Sequence, residues 1–151
     1  MALKSLFIEK TEKTPEIDFS PISGELIMSG RSIPSNAVTI FGPAYDWIKE
    51  YVKKPHKTTN LRLYLEYFNT SSTIWIAKII RALSSIKNPE YTFIIHMYIS
   101  NDEMSELDED DVKDILTPII DINNEPTVSL CIKLYGTKDG VKVDQESTVF
   151  L

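Results

Sequence analysis

The sequence is poor in the residues that most catalytic and metal-binding sites use. It has 151 residues with one cysteine and two histidines, which excludes an internal disulfide and leaves too few ligands for a cysteine–histidine zinc site. The single thiol, Cys131, is typical of a reducing compartment. The glycine-rich phosphate loop, the GxGxxG fingerprint and the GxSxG nucleophile elbow are absent. These absences disfavour an enzyme, and we expect no cofactor and no metal ion.

Long apolar runs and an excess of positive charge are missing as well. No stretch approaches the roughly 18 apolar residues that a membrane-spanning helix needs, and charges interrupt residues 1–10 too early for a signal peptide. The formal net charge of −6 argues against nucleic-acid binding, which needs a concentrated basic surface. We therefore expect a cytoplasmic protein with no nucleic acid, no membrane insertion and no small-molecule substrate.

The composition is that of a globular protein. With 42% hydrophobic and 25% charged residues, a chain of this length can bury a core as a single domain covering 1–151. Apolar residues that alternate or run together predict strands at 17–19, 25–28, 61–67, 91–99 and 128–135. After the last of these, "GTKDG" is typical of a turn, and the tail that follows predicts a returning edge strand.

Apolar stripes at helical spacing predict the helices. They indicate one helix over 41–52, with Pro43 in its first turn, a second over 71–86, and a third opened by the acidic run 102–114. The order of elements predicts an α/β fold, with a mixed β-sheet of about five strands and helices packed on it. We expect a C-terminal strand or hairpin to extend this sheet.

The remaining chemically active side chains have structural interpretations. His96 and Cys131 fall inside strand patterns, where a hydrogen-bonded histidine and a buried thiol are the usual states. The acidic run 102–114 lacks the central glycine of an EF-hand and is typical of a solvated helix start, with a partner-docking face as the alternative. Trp47 and Trp75 either pack at the edges of their helices or face a partner.

One junction holds more polar residues than its local structure needs. In "LEYFNTSSTIWIAKII" a strand pattern ends and a helix pattern begins across five small polar residues: Asn69, Thr70, Ser71, Ser72 and Thr73. A helix needs only one of them as its N-cap, so the group is either a redundant cap or a modification switch. A phosphate at a helix N-terminus meets backbone N–H groups and the positive end of the dipole. It also adds about −1.5 to −2 charges, which would change the protein's surface.

Four motifs carry a resemblance to a known family. In chain order they are "TEKTPEIDF", "GELIMSGRSIPSN", "FGPAYDWIKEY" and "LEYFNTSS". With these motifs the sequence resembles the SiaC-type regulatory phosphoproteins over 11–99. The fold of that family is similar to the STAS-like fold of anti-sigma-factor antagonists.

The resemblance implies a partner-switching mechanism. It places the phosphorylated threonine of the NTSS motif at Thr70, with Asn69 shaping the turn and with Ser71 and Ser72 as flanking caps. A Ser/Thr kinase would phosphorylate Thr70, and a PP2C-type phosphatase would remove the phosphate. The unphosphorylated form would bind and activate a diguanylate cyclase, which links the protein to cyclic-di-GMP signalling and biofilm formation. Two alternatives remain: an antagonist that sequesters an anti-sigma factor, and a small enzyme with an unrecognised site.

Overall fold

The computed structural model describes residues 3–102, 110, 128–138 and 142–150. The strands in this part of the chain are β1 (Leu6–Ile8), β2 (Glu16–Phe19), β3 (Glu25–Ser32), β4 (Thr58–Phe68), β5 (Thr92–Ser100), β6 (Ser129–Lys138) and β7 (Lys142–Phe150). Helix α1 (Ala37–Tyr51) joins β3 to β4, and helix α2 (Thr70–Ser84) joins β4 to β5. No helix among the described residues is long and apolar enough to span a membrane.

The strands lie in one mixed sheet in the same order as in the chain. The four strands from β3 to β6 run parallel to one another, whereas β1–β2, β2–β3 and β6–β7 pair antiparallel. Successive crossovers in one direction along a sheet place their helices on the same face when each is right-handed. α1 and α2 accordingly pack side by side. The predicted α/β class and mixed sheet are confirmed.

The core lies between this sheet face and the helices. Alternate strand residues point toward the helices, and each helix adds one apolar stripe. The fully buried members include Ile17, Phe19, Leu26, Leu61, Phe93, Ile95, Phe41, Ile48, Ile79 and Leu83. Each such side chain contributes up to about 1.5–3 kcal/mol through burial, so the core fixes both helices firmly on the sheet. Their N-termini are thereby held at the edge where the parallel strands end.

Helix α1 begins at Ala37, so its predicted start at residue 41 is wrong. Ala37 and Phe41 are both buried and lie one turn apart, which shows that the inward stripe extends a turn further back. An alanine carries little hydrophobic signal, and the pattern therefore missed this turn. Pro43 lies inside the helix rather than in its first turn. It cannot donate a hydrogen bond to the Thr39 carbonyl.

The sheet is larger than predicted because both ends contribute more strand. β1 was not predicted, since its three residues are too few to show an alternating pattern; it pairs with β2 in the register Leu6↔Phe19. The predicted returning strand is confirmed as β7. The predicted turn at 136–140 is wrong in its first part, because Gly136 and Thr137 continue β6 across a register shift. The predicted third helix over the acidic run 102–114 falls outside the described residues, apart from 102 and 110.

Candidate functional site

The polar junction lies at the carboxyl edge of the parallel strands. β4 ends at Phe68, Asn69 is the N-cap with an extended backbone (φ −88°, ψ 176°), and Thr70 is the first residue of α2. β3 runs parallel beside β4 and is followed by α1, so both helices begin at this edge. The positive ends of two helix dipoles therefore meet here. The predicted start of the second helix, near residue 71, is confirmed to within one residue.

A β-bulge interrupts the pairing of β3 with β4 just before the junction. The register between β3 and β4 shifts between Gly30 and Arg31, so β4 carries one extra residue at this point. Gly30 has a φ of +107°, which residues with a side chain rarely adopt. Bulges often re-aim a strand beside a functional site. Beyond this bulge, the backbone N–H of Asn69 donates to the Ser32 carbonyl at 2.9 Å.

The side chain of Asn69 connects the parts of the junction through hydrogen bonds. Its Oδ1 accepts hydrogen bonds from the Ser72 N–H at 3.0 Å, the Ser71 hydroxyl at 3.0 Å and the Ser72 hydroxyl at 2.8 Å. Its Nδ2 donates to the Pro34 carbonyl at 3.3 Å. The one side chain thus caps α2 and ties the helix to the loop that follows β3. These are the bonds through which Asn69 would shape the turn, and its role at the site stays a prediction.

Ser72 is a buried contact rather than a surface group. Its side chain has no solvent exposure, and its Oγ lies 2.6 Å from the Ser32 Oγ and 2.8 Å from the Ser32 carbonyl oxygen. A serine hydroxyl has one proton, so Ser72 donates to one acceptor at a time and the Ser32 hydroxyl supplies the further bond. A phosphate could not be added to Ser72 without opening this contact.

Thr70 carries the hydroxyl that the junction leaves unused. Ser71 donates to Asn69 Oδ1, and the Thr73 hydroxyl donates to the Asn69 carbonyl at 3.2 Å. Thr70 is exposed, and its hydroxyl makes no hydrogen bond with any described residue. The backbone N–H groups of Thr70 and Ser71 likewise have no acceptor within the described part of the chain, as is usual in a first turn. An exposed hydroxyl beside two free donors can accommodate a phosphate ester.

The segments that contain the starts of both helices are uncharged. Residues 32–45 and 67–77, which contain the starts of both helices, include no Asp, Glu, Lys or Arg, although 25% of the chain is charged. Ile33, Val38 and Ile74 expose 38%, 61% and 52% of their surface. Ile74 is one turn beyond Thr70 and lies on the same face of α2. A phosphate on Thr70 would bring about −1.5 to −2 charges to segments that carry none.

The loop partners of the junction were missed by sequence reasoning. Ser32 and Pro34 contact Asn69 and Ser72 across a separation of 35–40 residues. The polar string "SIPSN" after β3 is the only sequence signal for them, and it does not reveal which later residues it meets. The structure brings together all four predicted site residues, and of the four hydroxyls at 70–73 only that of Thr70 is left without a hydrogen bond to the described residues.

A second polar group, here called the open-face cluster, lies on the sheet face opposite the helices. Its members are Glu25, Asn60, Arg62, His96, Tyr98 and Tyr135. Arg62 Nε donates to Glu25 Oε2 at 2.8 Å, and its Nη1 donates to the Tyr98 hydroxyl at 2.8 Å. The hydrogen bond to Glu25 raises the pKa of Arg62 above its ordinary value. Tyr98 stacks on Tyr135, with ring centroids 4.5 Å apart.

His96 is fully engaged within the open-face cluster. It is 4% exposed, with Nε2 at 2.8 Å from Asn60 Oδ1 and Nδ1 at 2.8 Å from the Tyr135 hydroxyl. An amide oxygen can only accept, so Nε2 carries the proton and Nδ1 accepts from Tyr135. Burial, reinforced by the charge of Arg62, lowers the pKa of His96 to about 4. The structural interpretation of His96 is confirmed.

The other candidate groups also have structural roles. Cys131 is buried in β6, and burial raises the pKa of its thiol, which makes it a poor nucleophile. Trp47 is 7% exposed and donates from Nε1 to the Lys4 carbonyl at 2.6 Å. Trp75 stacks against Phe41. Among the residues that the structure describes, no three His, Cys, Asp or Glu side chains come together as a metal site.

Comparisons with known proteins identify one family. The family model described as SiaC family regulatory phosphoprotein matches residues 8–124. An uncharacterized protein of Pseudomonas aeruginosa (strain UCBPP-PA14) is 36% identical over 70 residues, which are 46% of this chain. That match spans 56% of the relative's own length.

Solved structures of Pseudomonas aeruginosa SiaC have the same fold. Apo-SiaC superposes with a TM-score of 0.63 at 25% identity, covering 83% of this chain and 97% of that chain. A second SiaC structure gives 0.59 at 27% identity, covering 68% of this chain and 89% of that chain. A third, in which SiaC is described as the activator of the diguanylate cyclase SiaD and is bound to it, gives 0.63 at 23% identity, with coverage of 83% and 97%.

Proposed function

The chain belongs to the SiaC family of regulatory phosphoproteins, and on that premise we propose that it is a partner-switching protein controlled by phosphorylation of Thr70. Membership confirms the family resemblance and makes the chain a regulatory protein rather than an enzyme. The whole of 1–151 acts as one regulatory domain in the cytoplasm. The observation that carries the proposal is the unused, exposed hydroxyl of Thr70 at the start of α2.

The unphosphorylated protein presents an uncharged docking surface to its partner. Ile33, Val38 and Ile74 expose apolar area in the loop after β3 and near the starts of the two helices, and the segments that contain them have no charged side chains. Apolar burial stabilises a complex with a partner that covers this surface, and desolvating the surface costs little free energy. A diguanylate cyclase is the proposed partner, and its activation links the chain to cyclic-di-GMP signalling and biofilm formation. The description of Pseudomonas aeruginosa SiaC as an activator of such a cyclase supports this choice.

Phosphorylation of Thr70 makes the same surface unfavourable for partner binding. The phosphate oxygens can accept from the free N–H groups of Thr70 and Ser71 at the positive end of the α2 dipole. The fold therefore tolerates the modification, whereas a partner packed on this surface would bury a charge without a counter-ion. A cognate Ser/Thr kinase adds the phosphate, and a PP2C-type phosphatase removes it. Burial of Ser72 and the bond from Ser71 to Asn69 favour Thr70 as the acceptor.

An anti-sigma-factor antagonist is the second candidate. The proposed likeness to the STAS-like fold is supported by parallel strands, helices on one face, and a polar helix start directly after a strand. Such an antagonist would use the same surface and the same threonine to sequester an anti-sigma factor. A cyclase gene beside kinase and phosphatase genes would favour the first candidate, and a sigma-factor operon would favour the second.

The proposal is tested by phosphorylation followed by a cyclase assay. The cognate kinase is incubated with the wild type, Thr70→Ala and Ser71→Ala, and the phosphate is located by peptide mass spectrometry. We expect one phosphate on Thr70 in the wild type and in Ser71→Ala, and none in Thr70→Ala. The unphosphorylated wild type should activate the cyclase and the phosphorylated form should not. Phosphate on Ser71 alone, or equal activation by both forms, would contradict the proposal.

A further inference from the structure

A groove between the two helices lies away from the polar junction. It has a volume of about 480 Å³ and is lined by Tyr45, Lys49, Val52, Lys78, Arg81, Ala82 and Ser85. These residues come from the C-terminal halves of α1 and α2 and from the residue that follows each helix. Val52 and Ala82 are half-buried and form apolar parts of the groove, while its three cations are exposed.

The cations of the groove are only weakly neutralised. Lys78 lies over the Trp75 ring at 4.4 Å, and neither Lys78 nor Arg81 forms an ion pair with a described residue. Lys49 is 3.3 Å from Asp46, but both side chains are exposed, so the pair is worth little and can exchange partners. In a chain with a net charge of −6, three cations around one groove form a local positive surface.

The geometry distinguishes between two kinds of anionic occupant. A compact phosphate is bound best at helix N-termini, where backbone N–H groups point outward, whereas this groove follows the C-terminal halves of both helices. Separated carboxylates can each meet one cation. Lys78 and Arg81 are three residues apart, about one helical turn, which matches acidic residues at i and i+3 or i+4 of a partner helix. The apolar parts of the groove complement the apolar stripe of such a helix.

We propose that this groove docks an acidic amphipathic helix of a protein partner. The carboxylates of that helix contact Lys49, Lys78 and Arg81, and its apolar stripe packs on Val52 and Ala82. Thr70 precedes Lys78 by eight residues and Arg81 by eleven, which places it about 12–16 Å away along α2. The groove therefore binds its partner whether or not Thr70 is phosphorylated, and it adds a constant contact to the switched one.

The test uses a designed probe and does not depend on the identity of the cyclase. The probe is a fluorescent peptide of about 18 residues, long enough to form a helix, with a leucine stripe flanked by glutamates. A matched peptide carries lysine at every glutamate position. The protein variants are Lys49→Gln/Lys78→Gln/Arg81→Gln and a control, Lys53→Gln/Lys54→Gln/Lys57→Gln, which removes three charges from the exposed connector after α1. Binding is measured by anisotropy and located by amide chemical shifts.

We expect the acidic peptide to shift the amides of α1 and α2 along the groove. The triple groove variant should bind it at least about tenfold more weakly, and the connector variant should match the wild type. Added salt should weaken binding, Thr70→Asp should leave it unchanged, and the lysine peptide should not bind. No binding of the acidic peptide, equal binding by the groove variant, or shifts outside the groove would overturn the proposal. Folding of each variant is checked by its thermal midpoint.

Discussion

The polar junction and the open-face cluster are both networks of polar side chains on the same sheet, but they differ in completeness. In the open-face cluster Arg62 and His96 each use two side-chain partners, and His96 is buried while Arg62 is partly buried. At the junction the side chains form hydrogen bonds at Asn69, Ser71, Ser72 and Thr73. The Thr70 hydroxyl has no hydrogen-bond partner among the described residues and faces solvent. A complete network holds a fold together, and an unused exposed group in an otherwise complete network is available for chemistry.

This difference makes opposite predictions for stability and for partner binding. Changes in the open-face cluster should lower stability and leave partner affinity unchanged in the folded protein, because the cluster lies on the sheet face away from the helices. Changes at Thr70 should do the reverse. We expect four changes in stability, which decrease in size from His96 to Thr70.

The largest effect is a loss of stability in mild acid caused by His96. Its folded pKa of about 4 lies below the unfolded value of about 6.5, so the unfolded chain binds more protons between these two pH values. The free energy of unfolding should be constant above about pH 6.5 and fall by about 3 kcal/mol as the pH approaches 4. Urea unfolding at several pH values measures it. His96→Gln should flatten the curve and the exposed control His56→Gln should not; equal curves for the wild type and His96→Gln would be inconsistent with this account.

The next effect comes from Arg62. Arg62→Leu leaves the Glu25 carboxylate and the Tyr98 hydroxyl without their partner at a partly buried site. We expect a loss of about 1–3 kcal/mol in the free energy of unfolding. Lys133 on the same face is the matched control, because its contact with Glu146 is long, at 3.9 Å, and half-exposed. Lys133→Met should cost less than about 1 kcal/mol. Equal losses in the two variants would show that Arg62 has no special role.

A smaller loss of stability is expected at Asn69. Asn69→Ala removes the N-cap of α2 and the bond to the Pro34 carbonyl, and we expect a loss of about 1–2 kcal/mol. Chemical denaturation measures the loss. Hydrogen exchange should locate it as faster opening of the first turn of α2. Unchanged exchange at Ser72 N–H would argue against Asn69 as the cap.

The smallest effect is expected at Thr70 itself. Thr70→Ala removes a hydroxyl that makes no hydrogen bond within the described residues, and alanine has a high helix propensity. The free energy of unfolding should therefore change by no more than about 0.5 kcal/mol. Thermal and urea unfolding of the variant beside the wild type provide the measurement. A loss of 2 kcal/mol or more (on the scale of a lost cap or a buried bond) would place Thr70 in the structural network after all.

Much of the fold follows from local pattern, and its exceptions have physical causes. β4, β5 and α2 were predicted because long apolar periodicities mark them. β1 was missed because it has three residues, and the first turn of α1 was missed because its buried residue is an alanine, Ala37. At the site, the strand–helix junction marked residues 69–73 as candidates, and only the family resemblance singled out Thr70 among them. The partners that engage Ser72 and Asn69 come from the loop after β3, and no local pattern contains such a contact between distant residues.

The decisive measurement is the affinity of the proposed cyclase partner for the wild type, Thr70→Asp, Thr70→Ala and Ser23→Asp. Ser23 is exposed in the turn between β2 and β3, at the opposite edge of the parallel strands, and its variant carries the same added charge. A buried, unpaired carboxylate at Thr70 should cost ~3 kcal/mol and weaken binding by ~100-fold, while Thr70→Ala and Ser23→Asp should bind like the wild type. Equal affinity of all four proteins, each shown to be folded, would contradict the switch.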